Sequence, residues 1–222
     1  MNAQRNFFYM LDHVALQERQ RSLTFTDNTI VGVPDLSDEA FFVACFSAAS
    51  YQLGMTLTGV AFRGGMAQGP LYVGESLAHE TALMEAVNLE QAASYPRVML
   101  SPQLRARAQV MPTLPVPEGM NEEIIQELIA FDEDGEMLVD YLGALSRFSI
   151  YSEYDLETFD EVLSRHADVV REALAIGQAR EKWPWVADYH NSVVDRQGRG
   201  PQIEAARADD ELVRTFTSWQ QT

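Results

Sequence analysis

The chain has 222 residues, 46% of them hydrophobic, and a formal net charge of −17 at pH 7. That length and apolar content fill one sizeable core, or one domain with an appendage. The charge argues against nucleic-acid backbones and anionic membrane surfaces as partners, because both are held by clustered Lys and Arg. It leaves nucleotides open, since a local Arg or a bound divalent cation holds phosphate in an acidic protein.

The charge is uneven, with 10 acidic and 7 basic residues through Val116 against 23 and 9 beyond it, which suggests two differently built parts. Residues 1–20 place Phe7, Phe8, Leu11, Val14 and Ala15 at helical spacing. In SLTFTDNTIVGVP, Leu23 and Phe25 alternate with polar residues, Asp27 and Asn28 suit a tight turn, and Ile30–Val33 resume a strand ended by Pro34. This is a β-hairpin with an aspartate near its tip. Asp38 caps a helix through EAFFVACFSAASYQLG closed by Gly54, and MTLTGVAF follows as a strand. The sole cysteine, Cys45, falls on a buried face of that helix and excludes any intrachain disulfide.

The glycines of RGGMAQG allow close backbone approach or positive φ. After the short strand PLYVG, residues 79–94 form a helix with Leu83, Ala86, Val87 and Leu89 on one side, and YPRVMLS returns as a strand. VMPTLPVPEGM is a proline-punctuated connection. Beyond it, EEIIQELIAF and MLVDYLGAL are apolar-periodic, and Leu156–Gln178 reads as one long helix with Phe159, Val162, Leu163, His166, Val169, Val170 and Leu174 at spacings of three and four. KWPWVADYHN closes a helical subdomain as an aromatic anchor, and the stretch from Val194 onward reads as a poorly ordered polar tail. No apolar run approaches the ~20 residues of a membrane span, and the first residues lack a signal-peptide profile, so the expectation is a cytoplasmic protein.

Asp27 has two readings: a turn former accepting backbone N–H bonds, or a hard oxygen ligand for Mg²⁺ or Mn²⁺. Asn28 is either a phosphate or base donor or the second turn residue. Taken in order, TFTDNTIV, GVAFRGGMAQGPLYVG and ETALMEAVNLEQAASYPRVMLS resemble the catalytic core of class III nucleotide cyclases. The likeness is greatest to the bacterial branch that includes the pyrimidine (uridylate and cytidylate) cyclases of antiphage defence. Arg63, Gly64, Gly65, Met66, Ala67 and Gly69 match the family's RGGIAxG-like strand pair. Ala86, Leu89 and Glu90 match its helix GxxVNxAxRLE, with Glu80 in place of the opening glycine. About 80 residues carry the resemblance. KWPWVADYHN also resembles a C-terminal motif of that branch.

The resemblance implies an α+β, ferredoxin-like cyclase core over residues 1–105, a helical C-terminal region over 106–193 and a polar tail over 194–222. It implies a homodimer that converts UTP or CTP to cyclic UMP or cyclic CMP with Mn²⁺ or Mg²⁺, signalling to a cyclic-nucleotide-sensing effector. Asp27 falls at a metal-binding aspartate of the family. Met84 and Asn88 fall where the family has its base-contacting Asn and its transition-state Arg, and Leu23 where a purine-reading Lys stands. Loss of the purine-reading pair agrees with a pyrimidine substrate, and the missing cation passes to Arg63 or Arg97; the structural alternative for each is an ion pair or a strand anchor. The family's first strand, with its own metal aspartate, has no counterpart here: Asp12 in MLDHVA lies in a helical pattern without a β-branched run. The competing expectation is therefore a truncated or degenerate, non-catalytic relative that binds a nucleotide or a protein.

Overall fold

The structure is a computed structural model that describes residues 21–25, 28–33, 36–74, 78–110, 128–146, 156, 158–177, 182–204 and 214–218. The expected helix over residues 1–20 and the proline-punctuated connection from 111 lie outside the described residues. Strands β1 (Arg21–Phe25) and β2 (Asn28–Gly32) form an antiparallel hairpin of their own, in register from Arg21↔Gly32 to Phe25↔Asn28. Val31 packs with Tyr51, Met55 and Phe62, and the Thr29 hydroxyl meets the Tyr51 hydroxyl at 3.5 Å, which seats the hairpin on the following helix.

That helix, α1 (Asp38–Leu57), starts at Ser37, whose hydroxyl accepts from the Ala40 N–H at 3.2 Å. Its apolar residues run all round rather than along one stripe, the signature of a helix inside a core. Phe41, Phe42, Val43, Cys45, Phe46, Ala49 and Leu53 are all buried. Contrary to the reading that no apolar run approaches a membrane span, the stretch Ala40–Leu57 is long and apolar enough to cross a bilayer, and 72% of it is buried within the protein. The helix runs through Gly54 and absorbs Met55–Leu57, read from sequence as the start of a strand. Packing decides this: Gln52 donates to the Pro96 carbonyl, Thr56 bonds back to Gln52, and Met55 joins the hairpin cluster. The chain leaves the helix at Gly59, with φ +79°.

Strand β3 is only Gly64–Met66, and β4 (Tyr72–Val73) pairs with β5 (Ala78–His79) in a second small hairpin. Helix α2 (Thr81–Ala92) returns the chain to β6 (Val98–Leu100), which lies parallel to β3. Helix α3 (Pro102–Val110) follows. β7 (Ile129–Asp132) and β8 (Met137–Val139) are an antiparallel pair, then come the short α4 (Tyr141–Leu145), α5 (Phe159–Ala175), α6 (Trp183–Gln197) and β9 (Phe216–Ser218). The main sheet has the order β3-β6-β8-β7-β9, all antiparallel except β3–β6.

Segments that composition separates are therefore strands of one sheet. A boundary near 105 falls inside α3, and the core cluster runs from Phe41 to Phe216. The stretch beyond Val194 is not a uniformly polar tail either. α6 continues to Gln197 and stops at Gly198 in the left-handed region, Ile203 is buried, and β9 covers the edge of β7. Phe216 drives this: it meets the Trp185 and Tyr189 rings edge-on at 5.2 and 5.6 Å. The long helix α5 follows its periodicity and is opened by a capping box between Thr158 and Glu161.

Candidate functional site

The two sequence-selected positions that share a site are Met84 and Asn88, four residues apart on one face of α2. Met84 is 59% exposed, and both residues line an open cleft of about 660 Å³ at the N-terminal half of that helix. The opposite face explains the glycines before it. A Cβ on Gly65 would lie 2.2 Å from the Ala86 carbonyl oxygen and 2.7 Å from Leu89 Cβ, so only glycine lets β3 touch the helix backbone. Gly64 and Gly65 have no positive φ, and close approach to the helix backbone is what Gly65 serves.

His79, Glu80 and Thr81 form the rim of the cleft. The His79 ring stacks on Tyr72 across the β4–β5 hairpin, with centroids 5.0 Å apart, and its Nδ1 lies 3.2 Å from Glu80 Oε1. Glu80 precedes α2 with φ 105° and ψ 173°, a region that belongs to glycine, and its side chain makes no capping bond. It is the non-glycine residue with positive φ among the described residues.

Asn28 opens β2 and is exposed; Asp27 beside it lies outside the described residues. Arg63 is at the far end of α2 from the cleft. Its Nη1 donates to the Ala93 carbonyl at 3.0 Å and its Nη2 pairs with Glu90 at 2.8 Å, so it clamps the last turn of the helix. Arg97 is committed more deeply. Its side chain is 5% exposed, and it pairs with Asp132 at 2.5 Å and with Asp134 through two contacts at 2.7 and 3.1 Å. Burial alone would lower the Arg97 pKa; the hydrogen bonds and charges of Asp134 and Asp132 override it and raise the value. At Asp134 burial would raise the value; the Arg97 hydrogen bond, the Glu136 N–H and the charges of Arg97 and Arg214 override it and hold the carboxyl below the usual range. Arg63 and Arg97 thus have structural partners, and neither lines the cleft.

Sequence reasoning missed the network that holds Arg97. Asp132 also accepts from Trp185 Nε1 at 3.0 Å and from Arg214, whose guanidinium lies 3.9 Å over the Tyr95 ring. The DEDGE run of the β7–β8 turn and an arginine two residues before Phe216 were the available signals. Asp140, Tyr189 and Arg196 form a second buried set, with contacts of 2.5 Å and 2.8 Å to the carboxylate.

Among the described residues no group of three or more His, Cys, Asp or Glu is placed to hold a metal ion, and Asp27 lies outside them. Comparison of the chain with protein-family models, with curated proteins and with solved structures gives no match.

Proposed function

We propose that the chain is a subunit of a homodimeric pyrimidine-nucleotide cyclase, with the exposed face of α2 as one wall of the nucleotide site. The observation that carries the reading is that Met84 and Asn88, chosen from sequence as nucleotide contacts, line one open cleft. The reaction is attack of the ribose 3′-oxygen on the α-phosphorus of UTP or CTP, giving the 3′,5′-cyclic monophosphate and releasing pyrophosphate. Triphosphate charge has to be met by cations. The described lining of the cleft contains neither Lys nor Arg, so the countercharge comes from a second copy or from Mn²⁺ or Mg²⁺ entering with the substrate. The wider role that follows is a cytoplasmic second-messenger source in antiphage defence, read out by a cyclic-nucleotide effector.

A second reading is a non-catalytic relative that binds a nucleotide or a protein on the same face. The ion pairs of Arg63 and Arg97 favour it, because they leave the chain's candidate cations occupied. One experiment separates the two. The full chain is supplied with Mn²⁺ and each of the four triphosphates, and product and binding are both measured. Cyclic UMP or CMP formation that Asp27→Ala abolishes supports the cyclase. Binding to the cleft without product, weakened by Met84→Glu, supports the second reading. Neither product nor binding refutes both.

A further inference from the structure

Helices α4, α5 and α6 meet along a line of buried polar rings. Tyr141 Oη lies 2.8 Å from His166 Nε2, His166 Nδ1 lies 3.1 Å from His190 Nδ1, and His190 Nε2 lies 2.8 Å from the Pro201 carbonyl oxygen. The two imidazoles stack with centroids 5.0 Å apart. The direction of every proton follows from the last contact. A carbonyl only accepts, so His190 Nε2 carries hydrogen. A neutral His190 then has a bare Nδ1, which accepts from His166 Nδ1–H. That leaves His166 Nε2 bare, and it accepts from the Tyr141 hydroxyl. Burial holds both rings neutral, taking His190 down to about 4 and His166 well below its ordinary value.

The segment that follows α6 forms a lid. Residues 199–203 cross the α5–α6 seam with Pro201 over His190. Arg171 donates to the Gln202 carbonyl at 2.8 Å, and the Asn191 amide brackets Ile203, donating to its carbonyl and accepting from its N–H at 2.8 Å each. At Gly200, with φ +102°, a Cβ would lie 2.8 Å from Leu163 Cδ1, so the crossing is tight.

An added proton has one hydrogen-bonded arrangement. Whichever ring it enters, three ring hydrogens leave His166 Nε2 as a donor, and Tyr141 must turn its hydroxyl to accept. A second proton puts two N–H groups face to face at 3.1 Å. The charged and titratable groups around the pair do not welcome even the first. Burial opposes a charge on His190 most, the Pro201 carbonyl favours it, and Arg171 on α5 repels it. On α4, Asp140 is engaged by Arg196 and Tyr189 of α6. From α1, Thr56 hydrogen-bonds Tyr141. Relief comes from water, and the lid is what keeps water from His190.

We propose that Tyr141, His166 and His190 form a one-directional proton chain that latches the 199–203 lid onto the α5–α6 seam, and that proton uptake by the pair releases this lid.

The test uses the full chain in solution. At pH 7.5, ring ¹⁵N NMR should place hydrogen on Nδ1 of His166 and on Nε2 of His190. Amide exchange of Ile203, corrected for intrinsic rate, should accelerate by up to about tenfold per pH unit below 6.5, while Leu138 in β8 stays protected. His190→Gln keeps a donor for Pro201 and does not titrate, so the acid acceleration should vanish. The opposite tautomers, His166 or His190 titrating near 6.5 in the folded chain, or equal acceleration in His190→Gln would each overturn the latch. If that variant does not fold, the wild-type ring titration and Ile203 exchange decide, because the latch requires both to respond to the same proton.

Discussion

Gly64 and Gly65 are adjacent, neither uses a positive φ, and the structure assigns them opposite tolerance. An alanine methyl at Gly64 meets Phe62 Cε1 and Val98 Cγ2 at 3.3 Å, both side-chain atoms that yield by tenths of an ångström. At Gly65 the methyl meets the Ala86 carbonyl oxygen at 2.2 Å, where real Cβ atoms keep at least 3.0 Å, so α2 must retreat by about 0.8 Å. The helix is not free to do so. Pro70 O holds its first turn through the Ala82 N–H at 3.2 Å, and Arg63 clamps its last turn. Overpacking of this kind costs about 1–3 kcal/mol, against which the loss of unfolded-state freedom returns roughly 0.4–1 kcal/mol. Gly65→Ala should therefore destabilise by about 2 kcal/mol, and Gly64→Ala should stay within about 1 kcal/mol of wild type. Equilibrium urea unfolding reads this as a midpoint lowered by roughly 1 M for Gly65→Ala alone. A Gly65→Ala midpoint equal to wild type, or a larger loss at Gly64, would refute the packing argument.

Removing Arg97 leaves Asp132 with Trp185 and Arg214 but takes away its closest cation; Arg97→Met should lower stability by about 3 kcal/mol in urea, as for other broken buried pairs. Were Arg97 the transition-state cation, turnover would fall with the midpoint unchanged. Glu80→Gly relieves a backbone conformation that stores about 1–3 kcal/mol in a non-glycine residue, and its melting temperature should rise; a fall would show that Glu80 holds the helix start by contacts. Burial pushes the Cys45 thiol up from 9.0 to about 12. Its folded pKa is raised, so stability is retained below pH 9 and lost as pH rises from 9 towards 12, by roughly 1.4 kcal/mol per unit. A thiol reagent at pH 8 should find no reactive group in the folded chain and one in urea; a folded-state reaction would contradict the burial.

Local signals were enough for some features. The Gly64–Gly65 pair, the turn of side chains along α2 that leaves Met84 and Asn88 on one face, and the three-and-four spacing of α5 could be read from neighbours a few residues apart. The β1–β2 hairpin was equally legible, although its tip carboxylate, Asp27, lies outside the described residues. These features depend on backbone propensity, side-chain period and steric size, which act within a turn or a strand.

What tertiary structure decided depends on partners far along the chain. α1 passes its own glycine because Gln52 reaches the Pro96 carbonyl and Met55 meets the hairpin. Arg97 became a buried ion pair because β7 and β8 bring Asp132 and Asp134 beside β6, which no spacing around Pro96 could announce. His166 reads from its helix as one more apolar-face position, and it needed Tyr141 and His190 to become a link in a hydrogen-bonded chain. Phe216 turned the polar C-terminal stretch into an edge strand because Trp185 and Tyr189 left a ring-sized place for it. In each case the deciding energy is desolvation of a charge, a donor or a ring, and desolvation is a property of the assembled core rather than of any segment within it.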